Sequence, residues 1–486
     1  MEYNKNKTGG KKGGMYRPLK DQDLKRIVDE AYNLLDRVGM HIYSKTAREY
    51  LAKAGAKVDR DDLTVHFSRS MVEEAISNAP SSITLCGRNA DNDLILEDSR
   101  VYYGTGGTAI NVIDLASGER RPSVNEDVKL NARLVDALEH IHLFTINVFP
   151  NDVKDVKSID INRFYWSLRN TSKHIMGGIY SLEGTRQVVE LATRLAGGIE
   201  ALRERPFISF ITLIISPFKI DGHYGDMTCY IAEQGLPVVT PTEPICGTTS
   251  PITLAGNVLV HTAETLGGVV LAQSVRKGAP VIAGSVGSIP NLRTMGIVTG
   301  AVERGMLNSA TAQIAQYLEI PFYSTAGNSD AKIEDMQAGF ESAMSNLLVG
   351  MSGANYIHDA AGLFDGDLSI SYEKLVMDNE IIGMCERVLQ GIEVTDETLA
   401  VGMIEDVGPG GNFLTEAHTV MNMMNEFYHP TLADRTLYDE WVSSGRHTIK
   451  DRAQQKLKEL MASHNPCYIT DEQDKIIRSK FPGIQG

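Results

Sequence analysis

The adjacent pair His358-Asp359 is the part of this sequence best suited to do chemistry. An imidazole changes its charge near neutral pH, and a neighbouring carboxylate fixes which ring nitrogen carries the proton. Glu243 lies between two prolines in the run PTEP, where a stiff loop would hold its carboxylate toward a cation. Each residue also has a plainer interpretation, as a buried, hydrogen-bonded histidine and a solvated loop glutamate. Their types indicate either acid–base catalysis or the binding of a small cationic molecule.

Aromatic and glycine-rich segments accompany these residues. Aromatic faces attract quaternary ammonium groups, at about 0.5–2 kcal/mol each, although packing in the core is the plainer role for many of them. The run GTGGTA at 104–109 offers backbone N–H groups and the hydroxyl of Thr105, and GPGGNFLTEAHT at 408–419 could close over a site and carry Phe413 or His418 inward. The candidate aromatic residues are Tyr102, Tyr103, Phe149, Tyr180, Phe218, Phe322, Tyr323 and Phe364.

The composition narrows the classes of protein. The chain has 486 residues, 42% hydrophobic and 22% charged, which is ordinary for a globular protein. Its 47 Lys and Arg against 62 Asp and Glu give a net charge of −15, which argues against a nucleic-acid surface and weakly favours a cationic ligand.

Targeting and metal signals are absent from the sequence. No run of 18 apolar residues predicts a transmembrane helix, and the N-terminus has no apolar segment typical of a secretion signal. The five cysteines are scattered, without a CxxC pair or zinc spacing, so we expect no bound metal and a reducing cytoplasmic location. The run DGHYG at Asp221 is one residue short of a corrinoid-binding DxHxxG, and we interpret it as the start of a helix with Asp221 as the cap.

Short apolar runs alternate with helical patterns after residue 100. Strands that alternate with helices indicate parallel pairing, and eight such units match a (β/α)8 TIM barrel, with an open doubly wound sheet as the alternative. Helices are predicted over 127–138, 184–196, 255–276 and 302–318. The eight predicted strands are 101–103, 143–148, 174–179, 207–215, 237–240, 280–283, 321–324 and 356–359.

Four units follow from these patterns. We predict a disordered tail at 1–14, a helical N-terminal cap at 15–100, the α/β barrel at 101–391 and a C-terminal appendage at 392–486. The cap should contain helices near 24–38, 44–54 and 70–78, because apolar residues recur there at helical spacing. Active sites of such barrels lie at the C-terminal ends of the strands, where His358 and Glu243 are predicted.

Five motifs in order resemble the trimethylamine methyltransferase superfamily of corrinoid-dependent methyltransferases. They are MYRPL at 15–19, GTGGTA at 104–109, STAGNSDAK with QAG at 324–339, NYIHDAAG at 355–362 and GPGGNFLTEAHT at 408–419. The resemblance runs from Met15 to the C-terminal helices. It implies a (β/α)8 barrel that moves a methyl group from a methylated amine to the Co(I) corrinoid of a separate protein, with no cofactor bound by this chain.

The resemblance also narrows the substrate. Archaeal trimethylamine enzymes of the family carry pyrrolysine near the end of a barrel strand, and our placement of that position falls on Asn328. An ordinary residue there resembles the branch that uses quaternary amines such as glycine betaine, proline betaine, carnitine or γ-butyrobetaine. Such a substrate loses a methyl group and leaves as a neutral amine, so positioning and electrostatics suffice, without an acid or a metal.

The expected site follows from these two lines of argument. A betaine would point its methyl groups outward, near Tyr103, Glu243 and Phe413, and its carboxylate inward, toward His358 and Thr105, with Asn328 beside them. We also expect a homo-oligomer, because members of this family commonly associate. Two alternatives remain open from the sequence: a lyase or hydrolase using His358, Asp359 and Glu243, and a barrel that binds a betaine without catalysis.

Overall fold

A computed structural model describes residues 10–59 and 61–486. Two three-residue 3₁₀ turns, Ala90–Asn92 and Val156–Ser158, occur between the main elements. The strands are β1 Lys11–Lys12, β2 Met40–Ile42, β3 Lys57–Val58, β4 Thr64–His66, β5 Ile83–Leu85, β6 Leu94–Leu96, β7 Arg100–Tyr103, β8 Asn111–Ile113, β9 Arg120–Pro122, β10 Phe144–Thr145, β11 Ile175–Gly178, β12 Ile208–Ile211, β13 Lys219–Ile220, β14 Val238–Thr242, β15 Val281–Ser285, β16 Ile289–Pro290, β17 Ile297–Val298, β18 Phe322–Thr325, β19 Tyr356–His358, β20 Leu363–Phe364 and β21 Ser369–Ile370.

Helices follow the main parallel strands and make up most of the two ends of the chain. They are α1 Asp21–Arg37, α2 Lys45–Lys53, α3 Arg69–Asn78, α4 Asn125–Ala137, α5 Ile159–Asn170, α6 Leu182–Ala196, α7 Ile199–Glu204, α8 Gly222–Gln234, α9 Leu254–Val275, α10 Val302–Tyr317, α11 Met336–Ser352, α12 Tyr372–Gln390, α13 Asp396–Leu399, α14 Val401–Val407, α15 Ala417–Glu426, α16 Tyr438–Ser443, α17 Ile449–Ser463 and α18 Asp471–Lys480.

One curled nine-stranded sheet organises the fold. Its order is β1-β7-β19-β18-β15-β14-β12-β11-β10, and all neighbours pair in parallel except β1, which is antiparallel to β7. A further parallel bridge joins Gly104, directly after β7, to Leu143, directly before β10. The eight predicted strands are confirmed to within a few residues, and so is the mixed α/β class. The predicted unit boundaries at residues 100 and 391 remain predictions.

Large side chains fill the inside of the curl. Tyr102, Tyr323 and Tyr356 form one buried cluster with aliphatic residues of the other parallel strands and of the β5–β6 hairpin. The Tyr356 hydroxyl donates to the Thr105 carbonyl at 2.9 Å, so this apolar floor is joined to a polar layer above it. Since the interior is packed, a ligand has room only at the rim of the sheet.

Two predictions about the N-terminal part are corrected. Residues 1–9 of the predicted tail lie outside the described residues, but Lys11–Lys12 pair with Val101 and Arg100, so disorder is wrong there. A Cβ on Gly13 would lie 2.3 Å from the Gly350 carbonyl oxygen, which shows that the glycines allow close packing rather than flexibility. The cap contains the three predicted helices, but it also contains the strands β2, β3 and β4, which form a small sheet with β13 of the later chain. These two- and three-residue strands are too short to leave a periodic pattern.

Helix α9 is the one helix in the described part of the chain that is long and apolar enough to cross a membrane. Its apolar window is 78% buried inside the fold, where it packs against α1, α2, α3, α8 and α10. The helix is therefore apolar on all sides because neighbouring elements surround it.

Helix α12 carries the chain back to the N-terminal ends of the strands. Near its end, Glu386 accepts hydrogen bonds from His140 Nδ1 at 2.5 Å and His142 Nε2 at 3.1 Å, and both histidines immediately precede β10. The pKa of Glu386 falls to about 2: burial opposes the ionised form, but the two histidines outweigh it. The segment after Gly391 therefore leaves the barrel-like body at the end opposite to the loops that carry His358.

Candidate active site

Three side chains meet where β18 and β19 end. Asn328 Nδ2 donates to Asp359 Oδ2 at 3.0 Å and to Asp367 Oδ1 at 2.7 Å, so one amide holds two carboxylates together. Asn328 and Asp359 are buried, at 1% and 3% exposed. Burial, only partly offset by Arg304 and the Asn328 hydrogen bond, raises the pKa of Asp359 to about 6.

Arg304 and Glu243 complete the charged cluster. Arg304, in the first turn of α10, is 3% exposed and its Nη1 donates to Asp367 Oδ2 at 3.3 Å. Burial opposes the guanidinium charge, but Asp367, Asp359 and Glu243 raise its pKa. Burial also raises the pKa of Glu243. The positive charge of Arg304 lowers this pKa in part, and the negative charge of Asp367 raises it further. When ionised, three carboxylates against one guanidinium leave a net negative charge, which favours a cationic ligand.

His358 lies at the edge of this cluster as a neutral imidazole. Its ring is stacked edge-on against Tyr323, with centroids 4.1 Å apart, and both ring nitrogens lie within 3.2 Å of the Thr325 hydroxyl. Burial and then the charge of Arg304 lower its pKa well below the ordinary value. A neutral His358 offers one N–H donor and no positive charge, which weakens its predicted role as the carboxylate anchor.

Three buried polar atoms in the cluster have no hydrogen-bond partner among the described residues: Arg304 Nε, Asn328 Oδ1 and Asp359 Oδ1. Unpaired buried groups are rare in folded proteins and cost about 1–3 kcal/mol each. Three of them together indicate a place where a ligand or water supplies the missing partners.

The loop after β19 adopts an unfavourable backbone to place its acids. Asp359, Asp365 and Asp367 all have positive φ, at 61°, 58° and 66°. Non-glycine residues avoid this region, and exceptions gather at functional sites. The loop is held by a salt bridge from Arg120 Nη1 to Asp365 Oδ2 at 2.7 Å, and by Gly362 N, which donates to the buried Asp378 at 2.7 Å.

The structure brings Glu243, Asn328 and His358 together, as the sequence predicted. Thr105 lies below them, where its hydroxyl donates to the Thr145 carbonyl at 2.7 Å and forms part of the polar layer. Tyr103 is not brought to the cluster. Neighbouring strand residues point to opposite faces, so Tyr102 enters the interior while Tyr103 faces the outer helices and donates to the Asn346 carbonyl.

Phe413 is not brought to the cluster either. Its segment leaves the body at the end of α12, where Arg387 donates to the Glu426 carbonyl and Tyr428 packs against His140. Phe413 is 40% exposed there. The expected closure of this loop over the site therefore does not occur within the single described chain.

Sequence reasoning missed Arg304 and Asp367. A usable signal for Arg304 exists: only Glu303 and Arg304 are charged in α10, and a cation in the first turn opposes the helix dipole. The sequence gives no signal for Asp367, because the run DGD at 365–367 is also common in ordinary turns. Asp221 was interpreted correctly, since its side chain caps α8 through His223 N.

A charged site at the carboxyl ends of parallel strands, on a curled α/β sheet, is typical of the position of an active site in α/β enzymes. The structure is similar to that of the monomethylamine methyltransferase (MtmB) of Methanosarcina barkeri, with a TM-score of 0.50. The alignment covers 93% of this chain and 96% of that chain. The identity is 14%, so this likeness concerns the fold alone.

Residues 4–481 match the trimethylamine methyltransferase (MTTB) family model, and the chain belongs to that family of methyltransferases. It is 33% identical over 459 residues to a trimethylamine methyltransferase MttB of Desulfitobacterium hafniense, covering 94% of this chain and 92% of the relative. It is 32% identical over 461 residues to a glycine betaine methyltransferase of the same species, covering 94% and 95%. The two relatives are named for different substrates but are almost equally similar to this chain. Sequence identity alone therefore does not indicate which amine this chain uses.

Gly106 offers a structural test of the cluster. A Cβ at this position would lie 2.2 Å from Asp359 Oδ1, whereas a Cβ on Gly178, at the end of β11, meets nothing within 4 Å. We expect Gly106→Ala to displace Asp359, weaken binding of a quaternary ammonium ion at least tenfold and destabilise the fold by about 1–3 kcal/mol. Calorimetric titration and thermal unfolding measure both effects. Gly178→Ala is the control, and equal behaviour of the two variants would contradict this account of Gly106.

Asp359 should give the site a pH dependence. Its folded pKa of about 6 means that the carboxylate is charged above this pH and neutral below it. The affinity for tetramethylammonium should therefore fall about fourfold between pH 7.5 and 5.5, measured by calorimetry. Asp359→Asn should remove this dependence.

The matched control is Asp160→Asn. Asp160 is also buried, with a pKa of about 6, but it accepts hydrogen bonds from the backbone of Tyr180 and Ser181 instead. This variant should keep the pH dependence. If the pH dependence survives in Asp359→Asn and disappears in Asp160→Asn, it belongs to Asp160, and this account of Asp359 is contradicted.

Proposed function

We propose that this protein transfers a methyl group from a quaternary amine, glycine betaine or a related betaine, to the Co(I) corrinoid of a separate corrinoid protein. The observation that carries the proposal is the cluster of Glu243, Asp359 and Asp367 around a single buried arginine, with unpaired polar atoms left for a ligand. Proline betaine, carnitine and γ-butyrobetaine are the alternative substrates within the same class.

The scaffold of this proposal is a closed (β/α)8 barrel. Seven parallel strands pair in sequence from β10 to β19, β19 pairs with β7 as the eighth, and the Gly104–Leu143 bridge joins β7 to the start of β10. A helix follows each of the eight strands before the next one begins. These pairings favour the closed barrel over the open doubly wound sheet.

The residues of the cluster would bind and orient the substrate. The bound corrinoid supplies a Co(I) nucleophile for the methyl group, and the amine leaves without needing a proton. The chain must then hold the cation, direct one methyl group outward and exclude water. The clustered carboxylates suit the first task, and the packed tyrosine floor suits the second because it blocks the inward direction.

The partner would dock at the rim above the cluster. Each of the eight segments that follow the parallel strands carries at least one exposed large apolar side chain, and exposed apolar surface of this kind marks interaction sites. A rim of this composition fits a protein that presents a large macrocycle with apolar edges. The rim residues are Ile110, Leu115, Val156, Tyr180, Leu213, Ile215, Ile252, Leu292, Met295, Ile297, Ile333, Met336 and Leu368.

The remaining alternatives are less well supported. A lyase or hydrolase would need an acid and a base, but the lowered pKa of His358 keeps it neutral and unable to act as an acid near pH 7. Among the described residues, no three His, Cys, Asp or Glu side chains are placed to hold a metal ion. A cytoplasmic location agrees with five free cysteines, four of them buried.

Methylcobalamin formation tests the proposal directly. The purified chain is mixed with a reduced corrinoid protein and a panel of glycine betaine, proline betaine, carnitine, γ-butyrobetaine and trimethylamine, and absorbance follows methylation of cobalt. We expect at least one betaine to react and trimethylamine not to react, since Asn328 stands at the presumed pyrrolysine position. Asp367→Asn should react more slowly, and Asp160→Asn should not. Robust reaction with trimethylamine contradicts the proposal, and so does the absence of reaction with every compound of the panel.

The predicted homo-oligomer has a candidate interface in the segment 392–438. None of the helices α13–α16 contains a buried residue. Apolar helix faces left in water are unfavourable, and homo-oligomers are the commonest way to cover them. The exposed apolar residues are Ile392, Val394, Leu399, Val401, Ile404, Phe413, Leu414, Val420, Met421, Met423, Met424, Phe427, Leu437 and Tyr438.

Sedimentation measures this prediction. The wild-type chain should sediment as an oligomer at micromolar concentration, and Met421→Ser with Phe427→Ser should dissociate it, because these side chains are 66% and 64% exposed in the single chain. Met336→Ser, on the opposite rim and 84% exposed, is the control and should stay oligomeric. A monomeric wild-type chain would show that the interface is wrong.

A further inference from the structure

Arg304 is a guanidinium that the fold buries without completing its hydrogen bonds. Its Nη1 lies 3.3 Å from Asp367 Oδ2 and 3.5 Å from the Thr299 carbonyl oxygen, both at the long end of the range, and its Nε has no partner among the described residues. A buried charged donor without a partner is more costly than a neutral one. The unpaired Nε therefore indicates that an acceptor is missing.

The nearby carboxylates of the chain do not complete the hydrogen bonds of Arg304. Asp359 accepts from Asn328 and lies 3.2 Å from His358 Nδ1, and Asp367 accepts from Asn328 through its other oxygen. Glu243 is near enough to affect the pKa of Arg304, but it makes no salt bridge with it, and the Ser288 hydroxyl lies 3.4 Å from its Oε1. The planar fork of a guanidinium matches a carboxylate in two parallel hydrogen bonds, and no group of the cluster provides that match.

We infer that Arg304 binds the carboxylate of a zwitterionic substrate, and that this contact makes the site select betaines over methylated amines without a carboxylate. The inference rests on the proposed function and adds to it the residue that decides the substrate class. Arg304 replaces His358 as the anchor. It carries a full positive charge, whereas His358 is neutral and faces Thr325 with both ring nitrogens.

The charges of the cluster match a betaine at both ends. A betaine carries its carboxylate a few bonds from its quaternary nitrogen, so a guanidinium with carboxylates around it offers each end an opposite charge. With the carboxylate on Arg304, the trimethylammonium group lies among Glu243, Asp359 and Asp367. Choline carries the same trimethylammonium group but no carboxylate, and it would leave Arg304 Nε unpaired.

Calorimetric titration of the full chain, without a corrinoid protein, tests the inference. The ligands are glycine betaine, carnitine, γ-butyrobetaine and choline. The wild-type chain should bind its best betaine at least tenfold more tightly than choline. Arg304→Met, which keeps the length and loses the charge, should weaken that betaine about 10- to 150-fold. It should not weaken choline, because it removes a positive charge near the trimethylammonium group.

Two further variants keep the test decisive. Arg304→Lys retains the charge without the planar fork and should fall between wild type and Arg304→Met, and it covers the case in which the methionine variant does not fold. His358→Gln should weaken the betaine less than threefold. A larger loss in His358→Gln than in Arg304→Lys would return the anchor to His358 and overturn the inference.

The other outcomes of the titration also test the inference. Equal affinity of the wild-type chain for choline and its best betaine, no binding of any ligand, or unchanged betaine affinity in folded Arg304→Met overturns the inference. The methylcobalamin assay keeps this failure distinct from failure of the proposed function. With choline added to that panel, methyl transfer from choline as fast as from the best betaine would leave the reaction in place and remove only the role of Arg304.

Discussion

The close approach of like charges at the end of a packed barrel-like sheet is the constraint on which the rest of this structure depends. Glu243 follows β14, whereas Asp359 and Asp367 share the loop after β19. Burial raises the pKa of all three carboxyl groups, and neighbouring carboxylates raise it further at Glu243 and Asp367, so the neutral forms are favoured. One arginine and one amide offset this only in part. The arrangement is unfavourable for the empty protein and becomes favourable when a cation is bound, which is the expected relation between a binding site and its ligand.

The surrounding structure serves to maintain this arrangement. Three aspartates with positive φ would relax if their loop were free. The loop cannot relax because Lys374 and Asp378, a buried pair 2.7 Å apart on α12, hold its beginning through Gly362. Gly106 provides the space that Asp359 occupies, and tyrosines close the interior below. The local strain is therefore supported by helices and strands rather than by loops.

Much of the fold could be predicted from the sequence because its signals are periodic. Eight apolar runs alternating with helical patterns predicted eight parallel strands, and the structure has each of them. The short strands of the cap and the pairing of Lys11–Lys12 could not be predicted, because two or three residues carry no period and their pairing depends on distant partners.

The site could be predicted only in part for a related reason. His358, Glu243 and Asn328 follow strands, and the ends of parallel strands meet. Arg304 enters from a helix, and Tyr103 points outward by strand alternation, which shifts with a single residue of register. Phe413 was predicted to lie at the site from its motif alone, without knowledge of the path of the chain. Helix α12 instead leads its segment to the end of the sheet opposite to the site.

The central claim is that the clustered carboxylates Glu243, Asp359 and Asp367 bind a cation. The most direct measurement is the affinity for tetramethylammonium at pH 8 in wild type and in Glu243→Gln, which keeps the shape and removes one charge. Glu264→Gln is the control, since Glu264 also has a raised pKa from burial but its oxygens accept hydrogen bonds from Ser216, Thr242 and the Phe218 backbone. The account predicts a loss of about tenfold or more for Glu243→Gln and little change for the folded control. Unchanged affinity in Glu243→Gln would contradict it.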